Sequence, residues 1–122
     1  MAYNPDNIFA KILNGDIPNN TVYEDDHVLC FDDINPQMPV HCLIIPKRQY
    51  ISLTDFSAQA SEVEVMAFHR AVAKIIDIKG LSDNGYRAIC NTDIHGGQEV
   101  PHFHMHILGG GKCPPMIALK TH

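Results

Sequence analysis

Three histidines alternate with apolar residues near the C-terminus, in Pro101-His102-Phe103-His104-Met105-His106-Ile107-Leu108-Gly109-Gly110. On a β-strand, side chains at i, i+2 and i+4 leave one face. The spacing predicts three imidazoles on a common surface, with Phe103, Met105 and Ile107 turned the other way into a core. Imidazole ionises closer to neutrality than any other side chain, so such a row suits nucleophilic attack, proton handling or metal binding.

Strand geometry separates these chemistries. Two histidines at i and i+2 can share a zinc ion at about 2.0–2.1 Å. A third fits poorly, because a rise of about 3.3 Å per residue sets His102 and His106 roughly 13 Å apart. A zinc site needs two of the row plus a distant ligand such as His41. Nucleophilic catalysis asks less of the backbone. A neutral imidazole attacks phosphorus, and a covalent phospho-histidine splits one hard displacement into two easier ones. One outer histidine then bonds a phosphate oxygen or the leaving group, and the other braces the row. The loop before it, Gly96-Gly97-Gln98, favours the phosphate reading: glycine lets backbone N–H groups approach an anion, and Gln98 adds an amide donor. A lone histidine in such a strand is ordinarily a solvated residue, and a lone glycine pair an ordinary turn. Their adjacency distinguishes this segment.

Several elements must position the row. Ile8, Phe9, Ile12 and Leu13 recur at helical spacing within Asn7–Asn14, and Gly15 marks the stop. Thr21–Glu24 and Val28–Phe31 read as strands around the polar turn Asp25-Asp26-His27. The loop Asn35-Pro36-Gln37-Met38-Pro39 leads into an apolar strand, Val40–Ile45, that ends at Pro46. Val65, Phe68, Val72, Ile75 and Ile76 predict an amphipathic helix from Gln59 to Lys79, ended by Gly80. Strands over Tyr86–Asn91 and Val100–Leu108 flank the loop 92–99. Together they predict an α+β domain: an antiparallel sheet of about five strands with one long and one short helix. Residues 1–122 read as a single domain, with a Gly- and Pro-rich surface tail from Gly109 to His122.

Composition narrows the function classes. The chain of 122 residues carries a formal charge of −5, which argues against coating a nucleic acid. The N-terminus lacks signal-peptide features, and no apolar run approaches the roughly 20 residues that span a bilayer. Cys30, Cys42, Cys90 and Cys113 form no CxxC pair and read as reduced cysteines of a cytoplasmic protein. His27, His69, His95 and His122 lack chemical context and read as surface residues.

The string His102-Phe103-His104-Met105-His106-Ile107-Leu108 resembles the signature of the histidine triad (HIT) family. Asp6–Ile12, Phe31–Gln37, His41–Lys47 and Gly96-Gly97-Gln98 are similar, in order, to segments of its Hint branch. The resemblance implies a homodimer whose long helix helps form the interface, a purine nucleotide (AMP-like) ligand, no cofactor and no metal. It implies hydrolysis of adenosine-type nucleoside 5′-phosphoramidates to AMP. His104 is then the nucleophile, His106 contacts the phosphate or leaving amine, and His102, backed by His41, orients the row. Asp33 matches the ribose-binding carboxylate, next to Ile34 at the base pocket, Phe9 and Phe31 count among the nucleotide-binding residues, and Asn91, Gly97, Gln98 and Glu99 match the phosphate side. Two alternatives are a diadenosine polyphosphate hydrolase and a non-enzymatic nucleotide-sensing dimer. The chain also departs from the pattern. Asn7 and Ala10 stand where some members have a zinc-binding CxxC, Glu99 replaces a small hydroxyl residue, and the tail lacks the tryptophan of animal relatives.

Overall fold

The apolar runs assemble into one five-stranded antiparallel sheet in a computed structural model that describes residues 2–117. The strands are β1 (Thr21–Glu24), β2 (Val28–Asp32), β3 (Val40–Pro46), β4 (Arg87–Ile89) and β5 (Met105–Gly109), in the order β1-β2-β3-β5-β4. The expected α+β class and strand number are therefore those observed. At the first hairpin the Asp25 carboxylate accepts the His27 and Val28 N–H groups at 2.8 and 2.9 Å, closing an Asx turn.

Both faces of the central strands are covered. Val28, Cys30, Cys42, Ile44 and Ile107 pack with Phe56, Phe68, Ala71 and Ile75 in the larger core, beneath helix α3 (Glu62–Ile78). Leu29, Phe31, Leu43 and Ile45 turn the other way and pack with Phe9 of α1 (Ile8–Leu13). A strand buried on both faces must be apolar at successive positions, which accounts for the run Leu43-Ile44-Ile45. As the alternation requires, Phe103 and Ile107 join the core under α3, with Met105 packed against it. His41, His104 and His106 thus belong to the α1 side.

The helices differ from expectation in number. Asn7 caps α1 by accepting the Ala10 N–H at 2.9 Å, and Gly15, at φ 82°, takes the left-handed stop. The segment expected as one helix from Gln59 is interrupted at Ala60, whose backbone is extended. Before it lies a separate helix, α2 (Leu53–Gln59), which buries only Phe56 and so lacks an apolar stripe to announce it. After it, Ser61 and Glu64 form a capping box that restarts the chain as α3. A single-turn helix, α4 (Asp93–Gly96), occupies part of the loop before the histidines.

The last two strands are shorter than the sequence suggests, and residues 101–104 lie outside the ladder. Pro101 has no N–H to donate, and the Phe103 N–H turns to the Tyr50 carbonyl at 2.7 Å. The tail begins one residue later than expected. Gly109 is buried in β5, where a Cβ would lie 2.7 Å from Leu81 Cδ2. Among the described residues all four cysteines are free, Cys30 and Cys42 buried and Cys90 and Cys113 half-buried. His69 and His95 are exposed and His27 is half-buried, while His122 and the rest of 118–122 lie outside the described residues. Among those residues no helix is long and apolar enough to cross a membrane.

Candidate functional site

A cavity of about 620 Å³ opens on the α1 side of the sheet. Of the residues singled out from sequence, Phe9, Phe31, Asp33, Ile34, His41, Asn91, Gly97, Glu99, His104 and His106 line it. His102 and Gln98 do not. The cavity also takes Ile8 and Ile12 from α1 and Leu43 from β3, an apolar lining that helical and strand periodicity make readable.

Each histidine has a defined hydrogen-bond environment, and donor–acceptor logic fixes its tautomer. His104 Nδ1 lies 2.7 Å from the His102 carbonyl. A carbonyl only accepts, so Nδ1 carries the proton and Nε2 keeps its lone pair. No side-chain nitrogen or oxygen sealed from solvent lacks a partner among the described residues, and His104 lines the cavity, so its unbonded Nε2 opens there. The Phe9 ring holds the imidazole edge-on, with centroids 4.9 Å apart.

His106 sits 5.1 Å from His104, ring centre to ring centre, on the same wall. Its state follows from two bonds behind it. The Gln37 backbone N–H donates to His41 Nδ1 at 3.0 Å, so neutral His41 carries its proton on Nε2. That Nε2–H donates to His106 Nδ1 at 2.9 Å. Neutral His106 is then protonated on Nε2, the nitrogen left for the cavity. One histidine offers a lone pair and its neighbour a hydrogen.

His41 therefore braces His106 and not, as the sequence reading had it, His102. The register explains why: Leu43 pairs with His106, so His41 on β3 is diagonal to it on the same face. His102 is fully buried and held from elsewhere. Its Nε2–H donates to the Pro46 carbonyl at 2.8 Å, leaving Nδ1 to accept the Tyr3 hydroxyl at 2.6 Å. Neither Tyr3 nor the Gln37 amide was legible beforehand, because neither contact leaves a local pattern in the chain.

Gln98 is the second correction. Its amide donates to the Ile51 and Val100 carbonyls at 2.7 and 2.9 Å, and its oxygen accepts the Asp93 N–H at 3.0 Å. The side chain ties the loop to the body and has no donor to spare for a phosphate. Gly97, at φ 74°, lines the cavity in a conformation that side chains disfavour, and its own N–H already bonds the Ile94 carbonyl at 3.3 Å. Asp33 accepts the Asn35 N–H at 2.8 Å on one oxygen and sets the other 3.5 Å from His41 Nε2. Ile34 is 82% exposed at the rim. Glu99 is exposed too.

Asp33, His41 and His106 offer ligand atoms within 4.8 Å of one another. Two of those nitrogens already share a proton, so they meet each other and not a common outside point. Burial also keeps the histidines neutral. It lowers His102 to about 4, against a helping bond from Pro46. It lowers His106 to about 4, assisted by His104 and His41. His104 and His41 are likewise lowered by burial, with the Asp33 carboxylate opposing.

The sign of the pH dependence follows. Between the ordinary imidazole value near 6.5 and the depressed native values, the unfolded chain binds more protons than the folded one. Stability is thus fully present above about pH 6.5 and lost as pH falls towards 4, by roughly 3 kcal/mol for His102 alone. Urea unfolding is expected to show a lower midpoint at pH 4.5 than at pH 7, and an unchanged midpoint would contradict these neutral histidines.

Fold and site together define an α+β protein whose histidine row lies on the sheet face opposite its long helix. The chain belongs to the HIT domain family, whose family model matches residues 14–113. It is 47% identical over 113 residues to the purine nucleoside phosphoramidase of Escherichia coli (strain K12), covering 93% of this chain and 94% of that one. A histidine triad protein of known structure from Clostridium difficile superposes with a TM-score of 0.81 at 46% identity, covering 93% of this chain and 97% of that one. A HIT family hydrolase from Legionella pneumophila Philadelphia 1 gives 0.81 at 40% identity, covering 89% and 96%.

Proposed function

We propose that the protein is a purine nucleoside phosphoramidase that releases AMP through a nucleotidyl-His104 intermediate. The observation that carries this reading is the complementary pair on one cavity wall: a His104 Nε2 lone pair beside a His106 Nε2–H. In the first step His104 Nε2 bonds to phosphorus and the P–N bond breaks. The departing nitrogen takes the His106 proton. A solvent proton returns His106 to its neutral form, and the nucleotidyl-imidazolium, with ring centres 5.1 Å apart, holds the one positive charge gained. In the second step water bonds to phosphorus, the P–Nε2 bond breaks and the water's proton is released to solvent. Asp33 serves the ribose, Phe9, Phe31 and Ile34 the base side, and Asn91, Gly97 and Glu99 the phosphate side. The E. coli relative's name supports the substrate class.

The cavity's charge favours this substrate over a dinucleoside polyphosphate. Among the described residues its lining holds Asp33 and Glu99, and Asp32 paired with Lys79 at 2.7 Å, but no lysine or arginine. Each further phosphate brings negative charge towards carboxylates, whereas an amine leaving group brings none. Adenosine 5′-phosphoramidate is expected to be hydrolysed with at least about tenfold higher kcat/KM than diadenosine triphosphate. Glu99→Gln is expected to narrow that ratio by about threefold, a small effect because Glu99 is exposed and screened. A preference for the triphosphate would favour the polyphosphate hydrolase, and tight AMP binding without turnover of either would favour a sensor.

The reading includes a homodimer. Val63 and Met66 are 62% and 56% exposed one turn apart on α3, and β4 is a sheet edge. Apolar surface in that pattern suits a second copy.

A further inference from the structure

We infer that Tyr3 is a positioning residue for the histidine row: its hydroxyl holds His102, and through it the peptide that aims His104. The inference rests on the reading of His104 as the nucleophile.

The need for such a device comes from the backbone. His104 is aimed by one bond, from Nδ1–H to the His102 carbonyl. That carbonyl lies in residues 101–104, outside the strand ladder, so no regular sheet pairing fixes its direction. Two other anchors do. The same peptide unit presents the Phe103 N–H to the Tyr50 carbonyl at 2.7 Å. The His102 ring is pinned between the Pro46 carbonyl and the Tyr3 hydroxyl, at 2.8 and 2.6 Å. The ring has no exposed surface, so its Nδ1 has no water to fall back on if the hydroxyl goes.

Tyr3 is itself held in place. The Asn4 carbonyl accepts the Asn7 side-chain amide at 2.7 Å and its backbone N–H at 3.3 Å, folding the N-terminal segment back onto the cap of α1. The Tyr3 ring then meets His102 edge-on, with centroids 5.6 Å apart. Six residues on, at the start of α1, Phe9 meets His104 in the same manner. The segment from Tyr3 to Phe9 therefore clamps two members of the row, one by a hydrogen bond and one by packing.

Tyr3→Phe keeps the ring and removes the donor. It is expected to lower kcat for adenosine 5′-phosphoramidate by about three- to tenfold with KM changed less than about twofold, since a misaimed nucleophile costs the chemical step. Nitrogen NMR of the full chain without substrate supplies the independent readout. In the unsubstituted protein, His102 is expected to show a pyrrole-type Nε2 and a hydrogen-bonded pyridine-type Nδ1, and Tyr3→Phe should shift the Nδ1 resonance. An unshifted Nδ1, or a shift with kcat unchanged, overturns the inference. So does Tyr3→Phe with full activity while Tyr3→Leu is slow, because the ring alone would then matter. If the unsubstituted protein fails to turn over the phosphoramidate, the reaction reading falls, and the NMR arm still decides whether the Tyr3 hydroxyl holds His102 Nδ1.

Discussion

His104→Ala is expected to lose at least about 10³-fold in kcat, the scale on which removing a covalent nucleophile acts. No other group can take its place. His106 presents a hydrogen to the cavity, not a lone pair, because His41 occupies its Nδ1. His102 is sealed away from the cavity with both nitrogens engaged. AMP affinity is expected to stay within about tenfold, since the proposed ribose and base contacts, Asp33, Phe31 and Ile34, leave out the removed ring. Steady-state kinetics and calorimetric AMP titration check the two halves, with circular dichroism confirming that the space opened beside Phe9 leaves the fold intact. Turnover within tenfold of the unsubstituted protein would mean direct attack by water.

The second large effect is expected at His106. His106→Ala should slow hydrolysis of an alkyl phosphoramidate by about 10²–10³-fold, within the usual range for a general acid. The loss should depend on the leaving group. A strongly basic amine needs the proton as the P–N bond breaks; a stabilised aryloxide needs little. Comparing an alkylamine with a p-nitrophenolate ester of AMP should therefore show the ester nearly rescued. Equal losses on both substrates would make His106 a phosphate-binding group only.

Much of this architecture can be read from local pattern. The alternation of Phe103, Met105 and Ile107 with histidines foretells the two-sided placement of the row, and the β2–β3 runs foretell a sheet. Helix α2 escapes because a single buried residue, Phe56, makes no periodic signal. The site is legible in its members but not in its wiring. His41 is recognisable as a partner of the row, yet its bond to His106 depends on a β3–β5 register that no local pattern sets. Gln98 illustrates the opposite failure. A polar side chain in a glycine loop suggests a ligand contact, while the backbone around it needs the same donor. Tyr3 lies 99 positions from its partner, His102, and only the folded chain brings them together.

The histidine row on which everything turns can be questioned directly by rapid-quench mass spectrometry with an adenosine phosphoramidate. The expected result is an AMP adduct that forms within one turnover, maps to His104 and is absent from His104→Ala. Full turnover with no adduct on His104, or an adduct on His106, would contradict the assignment of the nucleophile.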